Sequence, residues 1–508
     1  MLSRLLLGAV ALASFVTAAP TIEPVTHAVE IRSDSEGSGV ELWEEDESGG
    51  LERRGKKGSY FLLVNATPWK LTLSGRSSYQ MNVWDFPETI DPGTSNRIYI
   101  EGKGHIDDGG EVSYRFQDLL GHPDFEFQYS GKLGTNRVPG ARIRFTSLET
   151  VNNKPGSFHK LEWRQDNNMP FIIASSEENP ENPSIHPWLV STNPPRDWMH
   201  ATYPRISCLK LREMAIPGTH DSGMSLFNGG SGLGLDANTL TQELSVAGQL
   251  EFGARWFDIR PSKTGGKWAT GHYSFGAGNW HGGNGEYLDD IIDGINRFTE
   301  HNKELIILNV AQGLNSDNFN GDSDAKISQA EWEDVMRKLE RINYRVENRG
   351  GEEDLSQLRV SDFIQDHAAV IIIVDADLYK SQDRVDLSAF ADKGFFRRDQ
   401  LPLYDRYADE NNQNKMIADQ LDKMRKERTS PASSMFLLSW TLTQTPLSGI
   451  ANGVIENSKG ANRALIEKLW PAMSSSTYPN IINVDAYPSN RDFAALSMAI
   501  NYHFAPRC

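Results

Sequence analysis

Beyond about residue 210, short runs of nearly unbroken apolar residues alternate with stretches whose apolar positions recur every three or four residues. The runs are Glu213–Ile216, Arg255–Ile259, Trp268–Thr270, Leu305–Val310, Val370–Val374, Phe436–Trp440 and Ile481–Val484. Between several of them lie Leu288–Phe298, Ala330–Ile342, Met416–Arg425 and Ala464–Leu469, which carry helical stripes. A strand that is apolar at every position must be covered on both faces, as in a parallel sheet clothed by helices. About 300 residues in this rhythm suit an α/β chain closing as a TIM-like (β/α) barrel. An open doubly wound sheet is the alternative, but no glycine-rich phosphate loop follows the first run.

The preceding segment obeys a different period. Phe125, Phe127 and Tyr129 alternate with Glu126 and Gln128, the mark of a half-buried strand. Tyr60–Val64, Lys70–Leu73, Arg97–Ile100, Val112–Phe116, Arg142–Phe145 and Phe171–Ile173 are similar. Asp91-Pro92-Gly93, His122-Pro123-Asp124 and Val138-Pro139-Gly140 supply turns. Residues 58–175 are therefore expected to form an all-β, sandwich-like domain. Five prolines among polar residues make 176–196 an expected stiff linker, and 197–508 the barrel.

Arg4, the apolar stretch Leu5–Val16 and Val16-Thr17-Ala18 form a secretory signal, so residues 1–18 are expected to be removed and the protein to be extracellular. Residues 19–54 include the acidic stretch Glu41–Ser48, read as unstructured, and end in Arg53-Arg54; we expect a propeptide, or else an uncleaved tail. No hydrophobic tail follows Cys508, so no glycolipid anchor is expected. In an oxidising compartment the only two cysteines, Cys208 and Cys508, are expected to pair, two free thiols being the alternative. Asn65-Ala66-Thr67 is the one glycosylation sequon. The net charge of −17 argues against a nucleic-acid partner, which would require a basic footprint.

Three polar stretches follow three successive candidate strands: Ile216-Pro217-Gly218-Thr219-His220-Asp221-Ser222, Asp258-Ile259-Arg260-Pro261 and Thr270-Gly271-His272-Tyr273. In a barrel such positions share the C-terminal face, where active sites lie. Two imidazoles, two carboxylates and a guanidinium suit phosphodiester cleavage by an internal hydroxyl. One histidine takes a proton from the attacking oxygen, the other gives one to the leaving oxygen, and arginine grips the phosphate.

These motifs, with Trp198-Met199 and the helix Leu288–Phe298 running into Glu304-Leu305-Ile306-Ile307-Leu308, resemble the X-domain of phosphatidylinositol-specific phospholipases C, in its fungal secreted branch, over roughly residues 197–508. The resemblance implies that His220 is the general base, His272 the general acid supported by Asp221, and Arg260 beside Asp258 the phosphate clamp. It also implies that Asp485 orients the base and that the first product is a cyclic phosphodiester. Tyr273 and Trp440 join Arg260 as candidates for substrate contact. Relatives that use calcium carry a carboxylate where Arg260 stands, so neither a cofactor nor a catalytic metal is expected. The expected partner is a phospholipid or glycolipid head group at a transiently visited membrane surface, met by a monomer.

Two departures bear on specificity. β-strand ends Asn309-Val310-Ala311-Gln312 and Asp375-Ala376-Asp377 lack the lysine and arginine that bacterial relatives place near inositol, so the preferred head group is open. His281, in Trp280-His281-Gly282-Gly283-Asn284, competes with His272 for the acid role. Asn320, Asp322, Asp324 and Glu331 match part of a calcium-loop pattern, but Ala325 replaces its glycine and Ser328–Glu331 doubles as a helix capping box. A catalytically idle lipid- or glycan-binding protein and a metal-dependent glycerophosphodiesterase on the same fold are the competing readings.

Overall fold

The computed structural model describes residues 58–507 except 133–138, 176–188, 320–322, 348–353, 379–382 and 444–452, together with two short strands nearer the N-terminus. Those strands, Trp43–Glu45 and Leu51–Arg53, pair antiparallel within the separate unit Met1–Lys56. The acidic stretch read as unstructured thus contains a strand. The rest of the expected signal and propeptide lies outside the described residues.

Eight parallel strands build the sheet that carries the site: β1 (Ile216–Thr219), β2 (Trp256–Ile259), β3 (Leu305–Ala311), β4 (Ala369–Asp375), β5 (Phe395–Arg397), β6 (Leu403–Tyr404), β7 (Met435–Trp440) and β8 (Ile481–Val484). In space they run β5-β4-β3-β2-β1-β8-β7-β6, which is chain order followed round a ring. Only β5 and β6 share no ladder, and the short connection 398–402 keeps those two edges close. The sheet therefore curls toward closure as a distorted (β/α) barrel. Outside it lie the helices Leu288–His301, Gln329–Leu339, Gln413–Glu427, Val454–Leu469 and Asp492–His503. Leu288–His301 shows why they form: Leu288, Ile291, Ile292, Ile295 and Phe298 make one buried stripe, with Asp289 and Asp290 in the first turn and His301 in the last complementing the helix dipole.

The segment Trp268–Thr270 departs from expectation, because it is not a barrel strand. It belongs to a long antiparallel hairpin, Lys267–Gly276 with Asn279–Tyr287, inserted between β2 and the helix Leu288–His301. The local sequence explains this. Thr264 pairs with Lys267 across Gly265-Gly266, and Gly276 with Asn279 across Ala277-Gly278. All four loop residues have positive φ. Two-residue turns of that kind match the twist of an antiparallel pair and cannot begin a helical crossover.

Residues 58–175, joined by Val190–Ser191, form two sheets, with the exception of one parallel pair antiparallel throughout. One runs Phe158–Leu161, Gly140–Arg144, Asp124–Ser130, Gly109–Phe116, Leu71–Tyr79, Thr89–Ile90; the other Val190–Ser191, Asn168–Ala174, Gly58–Ala66, Thr94–Gly102, Met81–Trp84. Phe61, Leu63, Phe125, Phe127, Phe171 and Ile173 fill the space between them. Of the expected linker, 176–188 lies outside the described residues, but Val190–Ser191 is an edge strand hydrogen-bonded to Asn168–Ala174. Asn65 is fully buried, and its amide donates to the carbonyls of Trp69, Ile90 and Asp91. The sequon is therefore closed to glycosylation: its asparagine is a bolt of the sheet, and Pro68 starts the turn it holds. Cys508 lies outside the described residues, although Arg205 reaches the carbonyl of Pro506 at 3.0 Å, three residues from Cys208.

Candidate active site

Strand register decides which residues meet. In a parallel ladder, paired residues share a face and the alternate ones follow. Gly218 of β1 pairs with Trp256 of β2 and Asn483 of β8, so His220, Asp258, Arg260 and Asp485 all project from the inner face at its C-terminal end. Trp256 fills the barrel beneath them, and Gly218 leaves it room, since a Cβ there would lie 3.0 Å from the indole.

With Asp221 and His272 these side chains meet as one network of six groups. His220 Nδ1 lies 2.8 Å from Asp485 Oδ1, a carboxylate that is 1% exposed. Arg260 Nη2 donates to His220 Nε2 at 2.8 Å, which defines a neutral ring with its proton on Nδ1. The same guanidinium donates twice to Asp258 Oδ2, at 2.7 and 3.1 Å, and once to Asp221 Oδ2 at 3.0 Å. His272 Nδ1 is 2.9 Å from the Thr239 carbonyl, so it carries a proton, and it is 3.8 Å from Asp221 Oδ2. Its Nε2 is left for other work.

Electrostatics follow from this geometry. Burial, the largest effect, and Arg260 both lower the His220 pKa, but Asp485, through its charge and its hydrogen bond, together with the Asp221 charge holds the imidazole above its ordinary value. Burial pushes both Asp258 and Asp221 up while Arg260 pulls both down. For Asp258, which also accepts the Asp221 N–H, the pull wins and its pKa lies below the usual range. For Asp221 burial wins; its Oδ1 is buried without a hydrogen-bond partner, and its backbone sits at φ +46°. That backbone strain at the turn after β1 aims both His220 and Asp221 inward. The two carboxylates that might hold a cation are thus already engaged by Arg260.

Other expectations resolve differently. His281 has both ring nitrogens committed, one accepting from the Leu233 N–H at 3.0 Å and the other bonded to the Gly276 carbonyl at 2.9 Å. It ties the hairpin to the loop at Leu233. Trp440 was a candidate for substrate contact, but it is fully buried on the outer face of β7 and donates to the Ala461 carbonyl of the helix Val454–Leu469. Alternation along β7 puts Ser439 and Thr441 inward instead. Tyr273 lies one residue from His272; burial raises its phenol to about 12, and its ring packs edge-on against Phe319 at 5.0 Å. Asn320 and Asp322 of the calcium-loop pattern lie outside the described residues. Glu331 is spent on the capping box with Ser328 and on Lys263 and Asn315. Asp375 and Asp377 are both paired with Arg384, and Asp375 also with Arg398.

Several positioning residues carried no sequence signal. Gln242 donates to the carbonyls of His220 and Val484 and accepts from the Tyr487 N–H, clamping the ends of β1 and β8 together. Thr241 bonds the Asp221 carbonyl, and Asn462 those of Asp485 and Ala486. They sit in loops or on a helix surface, where no period reports a role.

No family model matches the sequence, and comparison with curated proteins finds no match. Among solved structures, the chain is similar to a mutant of phosphatidylinositol-specific phospholipase C from Staphylococcus aureus, with 14% identity and a TM-score of 0.43 over 61% of this chain and 97% of that one. It is similar to the phosphatidylinositol-specific phospholipase C from Listeria monocytogenes, with 14% identity and a TM-score of 0.38 over 58% and 95%. A calcium-dependent phosphoinositol-specific phospholipase C from Pseudomonas sp. has 14% identity and a TM-score of 0.23 over 59% and 93%.

Proposed function

We propose that the protein is a secreted phosphodiesterase that cleaves a phospholipid or glycolipid phosphodiester through a hydroxyl of the head group. The observation that carries this is the hydrogen-bond geometry of the two histidines. His220 Nε2 is an acceptor, backed at Nδ1 by Asp485, as a general base requires. His272 turns Nδ1 to the Thr239 carbonyl, an acceptor, with the Asp221 carboxylate beside it, which leaves Nε2 to donate a proton to the leaving oxygen as a general acid does.

In this mechanism the phosphate docks against Arg260, whose guanidinium yields His220 Nε2 to the substrate hydroxyl. Nε2 takes the hydroxyl proton as the oxygen attacks phosphorus. The bond from phosphorus to the diacylglycerol or other leaving oxygen breaks, and His272 Nε2–H protonates that oxygen. The products are a cyclic phosphodiester and a free alcohol, with one proton moved from His272 to the leaving group and one gained by His220. Arg260 supplies the positive charge the phosphate needs, so the activity is expected to persist in a chelator.

A lipid substrate is supported by the ledge that carries His272. Leu226, Leu233, Leu235 and Phe275 are exposed there, and Phe275 packs on Trp280 at 5.5 Å. Apolar side chains grouped on loops beside a polar cleft suit contact with a membrane surface. Removal of residues 1–18, release of 19–54 at Arg53-Arg54, and a Cys208–Cys508 disulfide complete the proposal for an extracellular enzyme.

Phosphorus NMR of phosphatidylinositol vesicles incubated with the protein and excess chelator tests it. The expected result is a cyclic inositol phosphate resonance whose rate of appearance drops about 10²-fold or more in His220→Ala. A wild-type protein that releases no cyclic phosphodiester, or a His220→Ala variant as fast as wild type, overturns the reading.

A further inference from the structure

The seam between the β-sheets and the barrel holds a cleft of about 140 Å³ that the proposed reaction does not use. Leu62 of the strand Gly58–Ala66, Ile466 of the helix Val454–Leu469 and Phe493 of the helix Asp492–His503 give it an apolar lining. At about 10–15 Å³ per water position, it has room for a ligand of on the order of ten non-hydrogen atoms. Three polar groups that line it lack partners. Asn167 is 7% exposed, and its Oδ1 is buried with no hydrogen bond among the described residues. Asn462 spends its side-chain N–H groups on the carbonyls of Asp485 and Ala486, and its Oδ1 is likewise buried and unpaired. The Asp492 N–H donates to the Asn490 side chain at 3.1 Å, but the Asp492 carboxylate meets no donor or cation among the described residues. Burial and the charge of Glu162, another acid, push that carboxyl up to about 7. A fold seldom gathers unpaired polar groups in one place without a partner that arrives later.

We propose that this cleft is a second ligand site, which takes a small organic ammonium ion. Its charge answers Asp492, its remaining donors serve the amide oxygens, and its carbon skeleton covers Leu62, Ile466 and Phe493. The unmet groups are all acceptors, so a donor completes them and an anion does not. The basic residues of the wall are already engaged: Lys459 by Glu243 and Glu456 at 2.8 and 2.9 Å, and Arg164 by Glu162 at 2.5 Å. Arg463 is exposed at the rim, where the Glu456 charge lies near it. A bare metal ion fits poorly, because no three His, Cys, Asp or Glu side chains among the described residues gather to hold one. A neutral alcohol would satisfy the amides but leave the Asp492 charge without a counter-charge. The inference does not depend on the reaction proposed above, and it holds even for a barrel that catalyses nothing.

The test is saturation-transfer NMR and calorimetric titration of the full chain with butylammonium, 1-butanol and butyrate, which are similar in size and differ in charge. Wild type is expected to bind butylammonium, 1-butanol more weakly and butyrate not at all. Asp492→Asn keeps the side-chain volume and should weaken butylammonium by about tenfold or more, the loss of a charge-assisted contact, while 1-butanol is unaffected. Because the Asp492 carboxylate has no partner to lose, the melting temperature of that variant should match or exceed that of wild type, which separates lost binding from lost folding. His220→Ala should bind butylammonium as wild type does, which places the ligand outside the catalytic network. No butylammonium binding by wild type, butyrate or 1-butanol bound as tightly, or unchanged binding in Asp492→Asn overturns the inference. Loss of binding in His220→Ala would assign the ligand to the barrel mouth and overturn it too. None of these results bears on whether a phosphodiester is cleaved, so the two proposals fail separately.

Discussion

Asp485 touches no reacting atom in the proposed mechanism, yet it sets the pH at which His220 can act. The carboxylate holds the imidazole above its ordinary pKa against the opposing pull of burial and Arg260. A base must be neutral to accept a proton, so kcat/KM is expected to rise with pH through that elevated value. Asp485→Asn removes the larger of the two charges that raise it, leaving Asp221 alone against burial and Arg260, both of which lower it. The acid limb of the pH profile should therefore move to lower pH, while kcat on the plateau falls about tenfold or more as the ring loses its fixed tautomer. A pH–rate profile with an unmoved acid limb in the variant would mean that another group sets it. Asp485 was legible only as the residue ending an apolar run, and His220, Asp258 and Arg260 were legible because local motifs place them after strands. Gln242 was not, since a single amide in a loop reads as an ordinary solvated side chain until the fold shows that it clamps β1 to β8.

At the scale of elements, the hairpin Lys267–Tyr287 is what brings His272 to the site, and Glu286 pins it. Glu286 accepts from the Ser225 hydroxyl at 2.8 Å and from the Val246 N–H at 3.1 Å. Burial raises its carboxyl to about 7. The folded chain thus holds this proton over a range where the unfolded chain has lost it. Stability is fullest below the usual glutamate range and falls as pH rises toward about 7, by on the order of 3 kcal/mol at 1.36 kcal/mol per pKa unit. Glu286→Gln keeps an acceptor for both donors and has nothing to ionise. Its melting temperature should be flatter than wild type between pH 5 and about 7 and higher at neutral pH. A variant with the wild-type slope would assign the pH dependence elsewhere. Most barrel strands and helices were legible from period alone; the hairpin was not, because Trp268–Thr270 is apolar like a barrel strand and only the turn pairs Gly265-Gly266 and Ala277-Gly278 separate the two readings. β5 and β6 escaped because three residues and two residues are too short to show any period.

Across the whole of Lys57–Cys508, the β-sheets and the barrel share one core. The five-stranded sheet is apolar on both faces: Phe61, Leu63 and Phe171 pack into the sandwich, while Leu62, Val64, Ala66, Ile172 and Ala174 belong to the barrel's cluster. Between that sheet and β1 lies the helix Asp492–His503, buried from Phe493 through Tyr502. A helix apolar all round must be covered on every side, and the barrel covers only one. Polar bolts join the same surfaces: Asn168 donates to Glu467 at 2.8 Å, Arg97 pairs with it at 3.2 Å, and Trp470 donates to the Gly93 carbonyl at 3.0 Å. Such a shared core should unfold as one. Calorimetry of Lys57–Cys508 is expected to give a single cooperative transition, and Leu62→Asp, which drives an uncompensated charge into the seam, should lower its stability by about 3 kcal/mol or more without touching the site. A fragment beginning at Asp197 would expose the outer side of Asp492–His503 and should aggregate. Two separated transitions, or a soluble barrel fragment that melts cooperatively, would instead make the sheets a detachable module and the catalytic unit self-sufficient.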